Sequence, residues 1–233
     1  MTASRPARSP RRRPTTTGCA PVPSTLWADG TRPHDATGYG PIPVLSRAVR
    51  EFIPPHGVFT LAALSPQQSE TAPETLRSMT AHLRRHLSAS AMPAGRITSL
   101  ADTPTPADLI IASLLPPLPD PCDPQLLARL TLDAAGQLNP GGILAVLTCH
   151  SHDHTGRLLD PTGPVVAAAQ ASDLLYLSHI VAAPVTGDTI ATSASHEGEP
   201  TPAARHATAH VDVAVFTLPQ TQPHDAAIEH RAA

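Results

Sequence analysis

The chain has 233 residues, of which 41% are hydrophobic and only 3% aromatic, and its formal net charge is -3. That is enough chain to bury the core of one ordinary domain, and Ala, Val, Leu and Ile must build that core. No apolar run approaches the ~18 residues of a membrane span, and three widely spaced cysteines (Cys19, Cys122, Cys149) make no disulfide framework.

All 16 basic residues are Arg and 28 residues are Pro. This is the mark of a GC-rich genome, so Arg is the default cation and carries little information. Residues 1–17 hold five Arg (Arg5, Arg8, Arg11, Arg12, Arg13) and no acid. The remainder is mildly acidic and offers no broad face for nucleic acid. The early arginines are followed by Pro-Thr-Thr-Thr rather than an apolar stretch, so no export signal is read and a cytoplasmic protein is expected.

Residues 1–38 are rich in Pro, Thr, Arg and Gly and read as a disordered tail. Order is expected over 39–219, with 220–233 a second tail. Val44, Leu45, Ala48, Val49 and Phe52 fall at helical spacing and predict a helix over 43–53, stopped by Pro54-Pro55. The short apolar run Val58 to Leu64 (VFTLAAL) predicts a buried strand. Leu76, Met79, Leu83 and Leu87, with Arg77, Arg84 and Arg85 between them, predict an amphipathic helix over 74–89.

A short strand is expected over 96–100 and a buried one over 108–115, cut off by Pro116-Pro117. Asp123-Pro124 is a helix start, a capping Asp before a first-turn proline, and Leu126, Leu127, Leu130 and Ala134 are expected inward. Asn139-Pro140-Gly141-Gly142 predicts a sharp break before a third buried strand over 143–147. A helix over 164–171, a strand within 174–185 and a polar segment over 186–207 follow. HVDVAVFTL (210–218) alternates, as a half-buried antiparallel strand does. Apolar strands alternating with amphipathic helices predict a mostly parallel α/β sheet covered on both faces, with a carboxyl-terminal antiparallel hairpin at the sheet edge.

Three segments resemble the Rossmann-like fold of S-adenosylmethionine-dependent methyltransferases, nearest to bacterial DNA amino-methyltransferases. LNPGGILAVLT resembles the family's helix-end, Pro-Gly-Gly, strand unit. DLIIASLLPP resembles the strand and loop that read Asp, apolar run, Ser-Pro-Pro-Tyr. VDVAVFTLP resembles the closing strand. The likeness covers roughly 40–219. It implies S-adenosylmethionine as cofactor, DNA as partner and methyl transfer as activity. It places Ala62, Ala63 and Ser65 on the cofactor side, and Ser113, Pro116 and Pro117 on the catalytic, acceptor side.

The chain departs from that pattern. The turn after VFTLAAL lacks glycine, and no carboxylate ends the strand; Glu70 is the nearest downstream. Either this strand is the first and has lost its glycine turn and the next strand-helix unit, or it is the second. The Ser113 loop has its proline pair displaced by two residues and lacks the aromatic that would stack on a flipped base. Two functions therefore stand side by side: a diverged methyltransferase, and a non-catalytic binding protein on the same fold.

CHSHDH (149–154) packs one thiol, three imidazoles and a carboxylate behind the third strand, on the rim where open parallel sheets bind ligands. His150, His152 and His154 alternate, and neutral imidazoles with a thiolate suit zinc or copper, with Asp153 in support. Zinc sites draw ligands from separated segments, however, and no CxxC or HExxH spacing occurs. The polar end of a strand explains the cluster as well, so no metal ligand is assigned. A Ser113–His150–Asp153 triad lacks the Gly-x-Ser-x-Gly elbow and is set aside.

Overall fold

A computed structural model describes residues 25–28, 36–99, 106–152, 155–186, 189–190 and 210–220. Its elements in chain order are β1 (Leu26–Ala28), α1 (Ile42–Phe52), β2 (Val58–Ala63), α2 (Pro66–Leu83), β3 (Ala94–Ser99), β4 (Ala107–Ser113), α3 (Pro124–Gln137), β5 (Leu138–Thr148), α4 (Thr162–Ala171), β6 (Leu175–Ala183) and β7 (Val211–Thr217).

These strands form one seven-stranded sheet in the order β1-β6-β7-β5-β4-β2-β3. β3, β2, β4 and β5 pair in parallel, β7 runs antiparallel to both its neighbours, and β1 lies parallel to β6. Because side chains alternate along a strand, the sheet sorts its apolar residues into two cores. Phe59, Leu61, Leu109, Ile111, Ala145, Leu147 and Val213 face α1 and α2. Ala62, Ile110, Ala112, Leu144, Val146, Ala214 and Phe216 face α3 and α4. The result is a Rossmann-like, mostly parallel α/β sheet between two helical layers.

VFTLAAL is flanked by β3 on one side and β4 on the other, so it is central and leads the β2-α2-β3 unit. The chain leaves β2 toward β3, then returns to β4 on the other side and moves away toward β5. The direction of winding reverses between β2 and β4, and the crevice at their carboxyl ends is where such sheets bind ligands.

Several boundaries differ from the sequence reading. α2 begins eight residues earlier than the predicted 74, at Pro66, and carries Pro73 inside it. Ser65 caps it, its Oγ accepting from Gln68 N at 3.2 Å. The expected break at 139–142 is instead the first half of β5: Gly141 takes the required positive φ of 81°, and the ladder absorbs the irregularity as a register shift between Ala107 and Leu109. β7 is buried along nearly its whole length rather than on one face, and the β6–β7 hairpin does not end the sheet as expected, because β7 is inserted between β6 and β5 and β1 pairs beyond β6. Leu26–Ala28 lies inside the stretch that composition assigns to a tail, and Trp27 is buried there with Arg47 over its ring. Asp108, which opens DLIIASLLPP, sits at the rim away from the crevice. Its carboxylate accepts from Val58 N and Asn139 Nδ2, both at 2.8 Å, and ties β2, β4 and β5 together.

Candidate functional site

The crevice between β2 and β4 is closed by a polar staple and an apolar wall. Gln68, in the first turn of α2, is buried. Its Oε1 accepts from Leu64 N at 2.8 Å, and its Nε2 donates to Ser113 O at 2.9 Å, with Gly38 O further off at 3.5 Å. One amide thus joins the end of β2, the end of β4 and the loop over 36–40. Ser113 Oγ donates to Gly38 O at 2.6 Å and accepts from Leu115 N at 3.3 Å, while Gly38 N donates to Pro116 O at 2.6 Å. The amide and carbonyl of Gly38 both pair with groups of the crevice, which is how buried polar atoms avoid an unpaired penalty.

Leu114 and Leu115 are buried directly behind Ser113. The loop lies hard against this wall: a Cβ on Gly40 would stand 2.9 Å from Leu115 Cδ1 and from Leu147 Cδ2, and Gly40 holds φ of 94°. Only glycine meets both conditions. Tyr39 is buried beside it, and burial pushes its phenol well above the usual range.

The residues marked out in the sequence come together here with most of their groups in use. Ala62 and Ala63 are buried strand positions, and Ser65 Oγ is the helix cap. Ser113 is fully buried and bonded as above. Pro116 and Pro117 are exposed, and Pro116 lines a cavity of about 340 Å³ together with Leu114, Leu118, Cys149, Ser151 and His152. This cavity lies beyond the Ser113 loop, on the side away from β2.

CHSHDH does not act as a unit. Cys149 turns into the α1/α2 core, where burial, then the charge of Asp212, pushes its thiol up. His150 turns to the opposite face. Ser151–His152 pairs with Leu158–Leu159 in a short hairpin and His152 is exposed. Asp153 and His154 lie outside the described residues. What His150 meets is Asp212 of β7, a carboxylate only 2% exposed. Asp212 Oδ1 is 2.9 Å from His179 Nε2 of β6; Oδ2 faces His210 Nε2 at 3.4 Å and His150 Nδ1 at 3.6 Å.

Sequence reasoning missed Gln68, Gly38, His179, His210 and Asp212. Ser65-x-x-Gln68 has the spacing of a capping box, a helix-start signal that the reading by apolar periodicity passed over. Asp212 was legible as an acid on the Ala214/Phe216 face of an apolar strand.

No family model and no curated protein matches this chain. Among solved structures it is similar to a SAM-dependent methyltransferase from Methanosarcina mazei, at 8% identity and a TM-score of 0.42, over 74% of this chain and 97% of that one. It is also similar to the N-methyltransferase NodS from Bradyrhizobium japonicum WM9 in complex with S-adenosyl-L-homocysteine, at 14% identity and a TM-score of 0.39, over 76% of this chain and 84% of that one. At these identities and TM-scores no residue role passes from those proteins to this chain. Among the described residues, no helix is long and apolar enough to cross a membrane.

Proposed function

We propose that this chain is a non-catalytic binding protein on a methyltransferase-type fold, diverged from ancestors whose motifs resemble DNA amino-methyltransferases. The observation that carries this reading is the Gln68 staple, which occupies the crevice where S-adenosylmethionine would have to lie. A nucleoside cofactor there needs close backbone approach at the turn that follows β2. Ala62 and Ala63 are buried strand positions, Ser65 is committed to the helix cap, and neither a glycine nor an acid follows β2 before Glu70. On the acceptor side, Ser113 is drawn into the staple and no aromatic follows Pro117. The cavity of about 340 Å³ past Pro116 remains open, and its lining sets Leu114, Leu118 and Leu159 beside the polar Ser151 and His152, which suits a small ligand with both apolar and polar groups.

Incubating the purified chain with methyl-labelled S-adenosylmethionine and duplex DNA tests this. Label in DNA is expected to stay at the level of a protein-free control. Time-dependent incorporation that disappears in Ser113→Ala would restore the enzyme reading.

A further inference from the structure

The strand register, not the CHSHDH spacing, builds a second site. Asp212 pairs with Thr148 across the β7–β5 ladder, so continuing that antiparallel register sets His210 opposite His150. Asp212 also pairs with Val181 of β6, which puts His179 at the diagonal position on the same face. Three strands therefore aim three imidazoles at one buried carboxylate.

The two oxygens of that carboxylate are treated differently. Oδ1 is anchored by His179 Nε2 at 2.9 Å. Oδ2 is buried with no hydrogen-bond partner, although His150 and His210 stand around it. Ligand atoms of His150, His210 and Asp212 all lie within 4.8 Å of one another. The side chains of His150 and His210 are 40% and 38% exposed, so an ion can enter from solvent. The far nitrogen of His150, Nε2, is 3.6 Å from Asp160 Oδ1. Thr162 N holds that oxygen at 2.9 Å. A carboxylate behind a ligating imidazole fixes its tautomer and orientation.

We infer that His150, His210 and Asp212 form a binding site for a divalent late transition ion, best matched by Zn²⁺, with His179 and Asp160 as positioning residues. Two imidazoles and one carboxylate make a three-ligand set that leaves a coordination position for water or a ligand. Imidazole-rich sets select zinc, copper, iron or nickel over magnesium and calcium, which take oxygen. Cys149 contributes nothing, because it lies on the other face of the sheet. This inference does not depend on whether the crevice binds a cofactor.

The test is titration of metal-free, full-length protein with Zn²⁺ in competition with a chromophoric chelator. One tight equivalent is expected, and it should disappear in the double variant His150→Ala/His210→Ala, whose changes fall on exposed side chains. Asp160→Asn should weaken it by roughly 10–100-fold, the usual effect of losing a supporting carboxylate. Co²⁺ in place of Zn²⁺ should give ligand-field bands with no thiolate charge-transfer band. The inference is overturned by no tight equivalent, by one that survives the double variant, or by a thiolate band that puts the metal on cysteine.

Discussion

Gln68→Glu is expected to destabilise the fold by about 3 kcal/mol at neutral pH, since a buried group that loses its partner costs ~1–3 kcal/mol and a charged one more. The substitution is nearly isosteric. One carboxylate oxygen can still accept from Leu64 N, but the other replaces a donor and faces the Ser113 carbonyl. Repulsion and burial both favour the protonated form, so the folded chain holds this carboxyl above its unfolded value of about 4.3. The sign follows from linkage. Below that unfolded value both states are protonated and the charge penalty is absent; it develops as pH rises and is complete above the raised folded value. The native Gln68 does not titrate, so the difference between variant and parent isolates the effect. Urea unfolding of both proteins at pH 4 and pH 8 measures it. A pH-independent difference under about 0.5 kcal/mol, the range of ordinary surface changes, would mean that the amide is solvated and does not close the crevice.

Leu115→Ala is expected to cost about 2–5 kcal/mol, the range for emptying a fully buried leucine site. Leu115 is 0% exposed and belongs to the core that faces α1 and α2. Gly40 lies against it from the loop side, so two segments distant in sequence lose contact at once. Backbone on both sides is held by Gly38 and Ser113 hydrogen bonds, which limits collapse around the cavity. For a domain of this size each kcal/mol moves Tm by roughly 2–4 °C, so calorimetry should find a drop of about 4–20 °C. A change of under about 1 kcal/mol would show that the wall behind Ser113 is loosely packed and that the loop is not seated on it.

The buried strands were readable because β2, β4 and the second half of β5 are short apolar runs bounded by proline or polar residues. α1 and α3 were readable from helical spacing and, for α3, from the capping Asp123. The start of α2 was not, because Pro73 looks like a boundary and Gln67, Gln68 and Ser69 show no apolar stripe; the capping box outweighs both. β1 was hidden in a Pro- and Thr-rich stretch, where a single buried Trp27 fixes three residues. The crevice closure depends on Gly38 and Ser113 meeting across 75 positions of sequence, and the imidazole cluster on a strand register between β5 and β7. Neither is written in local spacing. CHSHDH looked like one site because six polar residues were adjacent, yet strand alternation sends Cys149 and His150 to opposite faces.

The most direct test of the closed crevice is titration calorimetry of S-adenosylmethionine into the purified, metal-free chain. With Gln68 and the Gly38 loop in place, no saturable heat is expected at any accessible cofactor concentration. Saturable binding in the micromolar range would contradict the closure, and would mean that loop and amide withdraw to admit the cofactor.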